Sequence, residues 1–333
     1  MPSYDPFCQL KLTADAFGSY DDAVLTIRYL GFWSSFYELP AGQAENSLQC
    51  LFRALLGGQG IRGEVYVVSV FAPPAFYSTE LPTLRRMASV DSLWICFSGE
   101  PRELPWDWFH LNLVMKPTRL EQRTISLPNF ITNATEMGLW PYLQLPRPVF
   151  CPTKKKFCAF VVRNGGNHVR NQFVRLLSQT YKAVDCAGPF MNTMPRGATA
   201  PEDRRVYGDA YLGFLQSYKF VICFENCSQP ANLTEKLLNA WMSGAVPVYW
   251  GCPGVLKWLN PRAFLYLEGD SQDAMKRLVQ RIQELDEDAE KYQAIQREPL
   301  IDPAKGIPTE WTLDTLRGQI RSVLASAAAA QTI

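Results

Sequence analysis

Between residues 157 and 251 short apolar runs alternate with longer amphipathic ones in seven successive segments. FCAFVV (157–162), AVDCAG (183–188), KFVICF (219–224) and AVPVYWG (245–251) have the length and composition of buried strands. Between them HVRNQFVRLLSQTY (168–181), GDAYLGFLQSY (208–218) and TEKLLNAWMSG (234–244) carry their apolar residues at helical spacing. Strands that alternate with helices of this length can close only as a parallel sheet with crossover helices. The chain is therefore expected to be α/β.

The first half shows the same grammar. VLTIRYLGFW (24–33), GEVYVVSVFA (63–72) and SLWICFSGE (92–100) read as strands, with SLQCLFRALL (47–56) and LPTLRRMA (81–88) as helices. LWPYLQLPRPVFCPTKKK (139–156), with four prolines and a lysine run, interrupts the alternation and reads as a linker. One helix is expected over 271–293 and a last one over roughly 308–327, running into an alanine-rich tail. The expected organisation is an N-terminal Rossmann-like domain (1–150), a second one (151–305) and a C-terminal helix and tail (306–333). Two such domains are expected to face a central cleft, with ligands at the carboxyl ends of the strands.

Composition narrows the partners. Lys plus Arg (33) balances Asp plus Glu (32), so no broad basic surface for nucleic acid or an anionic membrane is expected. No run reaches the ~18 apolar residues of a membrane span, and the N-terminus lacks the pattern of a signal peptide. The expected setting is cytoplasmic, or that of a trimmed catalytic domain. The nine cysteines show no CxxC pair, so free thiols are expected rather than a zinc site or a disulfide framework.

The chemistry concentrates in FENCSQPANLTEK (224–236). If KFVICF is a buried strand, Glu225 and Asn226 emerge at its carboxyl end. Asn232 or Thr234 can cap the helix that follows, with Glu235 and Lys236 in its first turn. Free N–H groups at a helix start attract anions, and Lys236 adds a full charge. A diphosphate fits this setting, with Glu235 available to ribose hydroxyls or to a developing sugar cation. The competing reading is a capped helix with a solvated acid–base pair.

The longer segment KFVICFENCSQPANLTEKLLNAWMSGAVPVYWGCPGVLKWLNPRAFLYL (219–267) resembles the signature region of the α-1,3-fucosyltransferases: K-F-x-x-x-F-E-N, then T-E-K, a helix and V-P-x-x-x-G. FCAFVVRN and VRNQFVRLLS resemble the opening of that family's donor domain. The resemblance is strong over roughly 155–300 and fades before it. It implies a GT-B fold and inverting transfer of L-fucose from GDP-fucose to a hydroxyl of an N-acetylglucosamine- or glucose-type acceptor, on an oligosaccharide or glycoconjugate. It implies donor contacts from Asn226, Glu235 and Lys236, with Arg170 as a further phosphate candidate. No metal or cofactor is required on this reading, a divalent ion being at most stimulatory.

The acceptor hydroxyl needs a base, which the family places after an N-terminal-domain strand in a G-E context. Glu100 fills that place, with Glu103 in reserve. The catalytic pair is then Glu100 and Glu235. Three positions depart from the family pattern. Asn232 stands where an aromatic residue is common, Met191 near an expected arginine that Arg196 can replace, and Phe97 where a tyrosine can precede G-E. These leave two alternatives, another nucleotide sugar or a catalytically silent sugar- or nucleotide-binding protein. His110 and His168 read as structural, Trp94 as core, and Trp106 or Trp108 as facing the cleft.

Overall fold

The structure, a computed structural model, describes residues 25–33, 36–37, 46–61, 63–100, 106–115, 121–136, 138–147, 156–195, 197–201 and 209–330. The chain divides into two compact units, Met1–Leu139 with Pro308–Ile333, and Trp140–Ile307.

In the first unit β1 (Ile27–Leu30), β2 (Val65–Ser69), β3 (Leu93–Ser98), β4 (Leu111–Val114) and β5 (Thr124–Ser126) form one parallel sheet in that order. Every residue of β2, β3 and β4 is buried, as sequential parallel strands covered by crossover segments require. The helices are α1 (Ser47–Leu56), α2 (Leu81–Met87) and α3 (Asn129–Glu136). Asn46 opens α1 with a capping box, its side chain on the Gln49 N–H and the Gln49 side chain on its own N–H. Tyr66 and Trp94 stack at 4.3 Å with nearly parallel rings, which makes Trp94 a core residue as expected. Trp108 is half-buried against the same cluster, and the Trp106 side chain lies outside the described residues.

His110 is structural. Its Nδ1 accepts the Trp94 backbone N–H at 3.0 Å. Burial, with Arg85 and Arg123 nearby, pushes its pKa below the ordinary value. The folded state thus favours the neutral ring, so the stability this provides is present above about pH 6.5, the unfolded value, and is lost as pH falls toward the folded one. Thermal melts from pH 8 to 5 are expected to show a midpoint that drops below pH 6.5 more steeply in the wild type than in His110→Asn, which keeps an acceptor but cannot titrate. Parallel curves would exclude this role.

The second unit begins earlier than the expected 150/151 boundary. After α4 (Trp140–Leu143) the chain buries Arg147, whose Nε donates to the Gln296 carbonyl at 2.6 Å and whose Nη1 donates to the carbonyls of Trp241 and Ala245. Burial lowers the guanidinium pKa to about 9, against the pull of Tyr292. The proline-rich stretch therefore starts as part of this unit. The end of the chain also departs from a free tail, because α11 (Leu313–Ala330) belongs to the first unit. Arg317 donates to the carbonyls of Ala54 and Gly57 at the end of α1, where a cation meets the negative helix terminus.

In this second unit β6 (Lys156–Phe160), α5 (His168–Thr180), β7 (Asp185–Cys186), α6 (Asp209–Gln216), β8 (Tyr218–Ile222), α7 (Glu235–Met242), β9 (Val246–Tyr249), α8 (Val255–Trp258) and β10 (Leu265–Tyr266) follow the expected alternation. All the strand pairs are parallel, in the order β10-β9-β8-β6-β7. Phe173, Val174 and Leu177 of α5 join Phe160, Phe220, Ile222 and Val248 of the sheet in one core. Each fully buried side chain of this size contributes about 1.5–3 kcal/mol. The expected helix over 271–293 is two, α9 (Gln272–Glu287) and α10 (Ala289–Arg297). Asp288 ends one and caps the other, accepting the N–H groups of Glu290 and Lys291.

All seven cysteines among the described residues are free thiols. No described helix is long and apolar enough to cross a membrane.

Candidate functional site

The second sheet has a topological switch. β6 pairs with β7, its successor in the chain, on one side and with β8, the next strand, on the other. The connections leaving the two central strands run to opposite sides of the sheet there, and the carboxyl ends at such a switch are the usual ligand position in sheets of this kind. The loop after β6 leads into α5, and the loop after β8 leads through FENCSQPANLT into α7.

The two loops are tied together. Asn167 caps α5, accepting the Arg170 N–H at 3.0 Å, while its Nδ2 donates to the Asn226 carbonyl at 2.9 Å. Gly165 permits close approach of the loop after β7, because a Cβ there would lie 2.1 Å from the Phe190 ring. Beside Phe190, Met191 takes a left-handed φ of 53°, uncommon for a side chain of its size.

Arg170 is 4% exposed and lies in the first turn of α5. Its Nη2 donates to the Asn164 carbonyl at 2.8 Å, and its Nε is buried without a partner. Burial lowers its pKa, against the pull of the nearby Glu225 and Cys227. A guanidinium held in place with an unspent donor at a strand switch is suited to an anion.

Glu225 is the centre of the β8 loop and is completely buried. Oε1 accepts the Thr234 N–H at 2.8 Å, and Oε2 accepts the Lys236 ammonium at 3.0 Å. The Thr234 hydroxyl lies 2.9 Å from both oxygens. Burial raises the carboxyl pKa, and Lys236 pulls it back. Each oxygen faces an obligate donor, an amide on one side and an ammonium on the other, which is the environment of an ionised carboxylate. Gly251, at φ 151°, is required here: a Cβ would lie 2.5 Å from Glu225 Cγ. The final glycine of AVPVYWG is thus the mould for a buried acid on the loop of the neighbouring strand.

TEK forms a capped helix start whose acid–base pair is partly buried. Thr234 is the N-cap of α7, its hydroxyl accepting the Lys236 N–H at 3.4 Å. The pair is not freely solvated, because Lys236 is held to Glu225 and Thr234. Glu235 lies 4.0 Å from the same ammonium and is half-buried. Asn232 is not a cap and is only 1% exposed. Its Nδ2 donates to the Cys227 carbonyl at 2.7 Å and to Asn226 Oδ1 at 3.2 Å, locking the loop from inside. Tyr249 braces the same loop, donating its hydroxyl to the Asn232 carbonyl at 3.2 Å. Asn226 itself is exposed beyond the carboxyl end of β8.

Arg170, Asn226, Asn232, Glu235 and Lys236 therefore come together beyond the carboxyl ends of β6 and β8, while Arg196 and Glu103 lie outside the described residues. Glu268 is exposed just after β10. Glu100 stands at the carboxyl end of β3 in the other unit, its carbonyl accepting the Ser98 hydroxyl. The sequence reading gave no role to Glu225 or Asn167. The F-E-N…T-E-K spacing held the signal for the former, an acid nine residues ahead of the helix cap.

Two units, each with a five-stranded parallel sheet, fit the GT-B fold. A crystal structure of an α1,3-fucosyltransferase with GDP-fucose matches at a TM-score of 0.63 and 17% identity, covering 93% of this chain and 96% of that one, a likeness of fold. Residues 151–296 match the model of the C-terminal domain of glycosyltransferase family 10 (fucosyltransferase). Among curated relatives, the α-(1,3)-fucosyltransferase FucT of Helicobacter pylori is 33% identical over 114 residues, 34% of this chain and 22% of its own length. GDP-fucose protein O-fucosyltransferase 3 of Bos taurus is 34% identical over 127 residues, 38% of this chain and 26% of its own. The chain thus spans about a quarter of these relatives.

Proposed function

We propose that the chain transfers L-fucose from GDP-fucose, with inversion, to a hydroxyl of an oligosaccharide or glycoconjugate acceptor. The observation that carries this is the pair of cations at the strand switch, Arg170 with an unspent Nε and Lys236 at a helix start, both within electrostatic reach of Glu225. On this reading they meet the diphosphate, Asn226 and Glu235 face the nucleotide's ribose or the fucosyl ring, and Asn232 holds the donor loop from inside. The acceptor O–H loses its proton to Glu100 as its oxygen bonds to the anomeric carbon. The anomeric C–O bond to phosphate breaks on the opposite face, and GDP leaves with its charge met by Lys236 and Arg170. The family match over 151–296 and the GDP-fucose bound by the fold relative support the donor.

A sugar acceptor is favoured by Trp33, Tyr37 and Phe71, exposed beside the carboxyl ends of β1 and β2, with Trp33 and Phe71 edge to face at 5.3 Å. Flat rings suit the apolar faces of pyranoses. Two strand spacings put β1 about 10 Å from β3 and Glu100, roughly two sugar units.

Thermal shift and donor turnover with GDP, GDP-fucose, other GDP-sugars and UDP-sugars test the donor. GDP-fucose is expected to stabilise the protein and to be consumed once an oligosaccharide is added. EDTA is expected to leave most of that turnover. Preference for a UDP-sugar would move the site to another nucleotide, the reading that Asn232 and Met191 favour. Binding of nucleotide without turnover would make the protein a silent binder. A protein acceptor, suggested by the name of the bovine relative, is the control acceptor.

A further inference from the structure

We propose that Glu225 is a positioning residue: with Thr234 it fixes the direction from which the Lys236 ammonium meets the donor diphosphate, a role that rests on the donor site proposed above. The hydrogen bonds around Thr234 can run in only one sense. Its hydroxyl lies 3.4 Å from the Lys236 backbone N–H and 3.0 Å from the Lys236 Nζ, both obligate donors. The hydroxyl therefore accepts twice and spends its own proton on Glu225, 2.9 Å away. Lys236 Nζ gives a second N–H to Glu225 Oε2 at 3.0 Å. Two of the three N–H directions of the ammonium are thereby set by a carboxylate and a hydroxyl.

Stability alone does not account for this arrangement. Thr234 already caps α7, and the cap needs no buried charge. A carboxylate at zero exposure is costly to desolvate, and a buried ion pair generally stabilises no more than an apolar replacement of the same volume. Gly251 is nonetheless shaped around it, and the Lys236 side chain keeps 30% of its surface exposed. The pair has one partner sealed in and the other partly exposed, the geometry of an anchored cation. A lysine on a flexible four-carbon stem is otherwise a poorly directed point charge. Anchoring removes the rotamer freedom that would be lost when the diphosphate's charge develops in the transition state.

A double-mutant cycle with Glu225→Gln and Lys236→Met tests this. Glutamine keeps the shape against Gly251 and an acceptor for the Thr234 N–H but releases the ammonium. Glu225→Gln alone is expected to lower kcat about 10- to 100-fold, with the KM for GDP-fucose changed by less than about threefold. In the Lys236→Met background the same change is expected to alter kcat less than about twofold, and to raise the unfolding midpoint by removing a charge left without its partner. Should Glu225→Gln fold poorly, Thr234→Val removes the shared hydroxyl and is expected to lower kcat in the same Lys236-dependent way. An equal loss of kcat with and without Lys236, or a loss confined to KM, would reduce Glu225 to a structural role. Absence of GDP binding by the wild type would overturn the donor site and this role with it, whereas normal wild-type turnover with no coupling in the cycle overturns the positioning role alone.

Discussion

Replacing Lys236 by alanine is expected to lower fucosyl transfer by about 10²- to 10³-fold, the usual effect of removing one fixed group that meets developing charge. On the proposed function the leaving GDP carries that charge, and Lys236 stands in the first turn of α7, where the helix dipole also favours an anion. Affinity for GDP is expected to fall as well, because the cation serves ground state and transition state alike. The variant is expected to fold with a lowered unfolding midpoint, since Glu225 loses the cation 3.0 Å from its carboxylate. Isothermal titration with GDP, steady-state kinetics and thermal melts separate the three effects. Retention of more than about a tenth of wild-type kcat would remove Lys236 from the site.

The second large effect is expected in the other unit. Glu100→Gln preserves shape but cannot take the acceptor proton, and transfer is expected to fall by about 10²- to 10⁴-fold. Because Glu100 follows β3 in the first unit and the cations proposed for the diphosphate follow β6 and β8 in the second, GDP binding is expected to be unaffected. That contrast distinguishes a base from a donor-binding group. Full activity in Glu100→Gln or Glu100→Ala would sink the assignment, and Glu103 would then be the next residue to replace.

The α/β alternation was legible because burial on a parallel sheet imposes local composition. β2 and β3 fall inside GEVYVVSVFA and SLWICFSGE, and β8 overlaps KFVICF, starting one residue before it. The cap of α7 was legible to within two candidates, Asn232 and Thr234, of which Thr234 acts on the N–H two residues on, whereas the Asn167 cap of α5 was not read from the sequence. The break at Asp288 was less legible, since the flanking residues continue a helical pattern and only the cap geometry ends it. The return of α11 to the first unit depends on Arg317 finding carbonyls some 260 positions away, a contact that no periodicity encodes.

FENCSQPANLTEK shows the same division within thirteen residues. Sequence alone determined that polar groups would crowd the end of a buried strand and the start of a helix, because strand and cap are local matters. It also placed Glu235 and Lys236 in the first turn of that helix and Asn226 at the strand end. Only the tertiary structure decided what each residue does there. It sealed Glu225 beneath Gly251 of the neighbouring strand's loop, turned Asn232 inward to lock the loop, and drew Lys236 onto the buried acid. The reason is strand order: with β6 between β7 and β8, residues distant in sequence meet beyond the carboxyl ends of β6 and β8, and their charges settle by burial and pairing there.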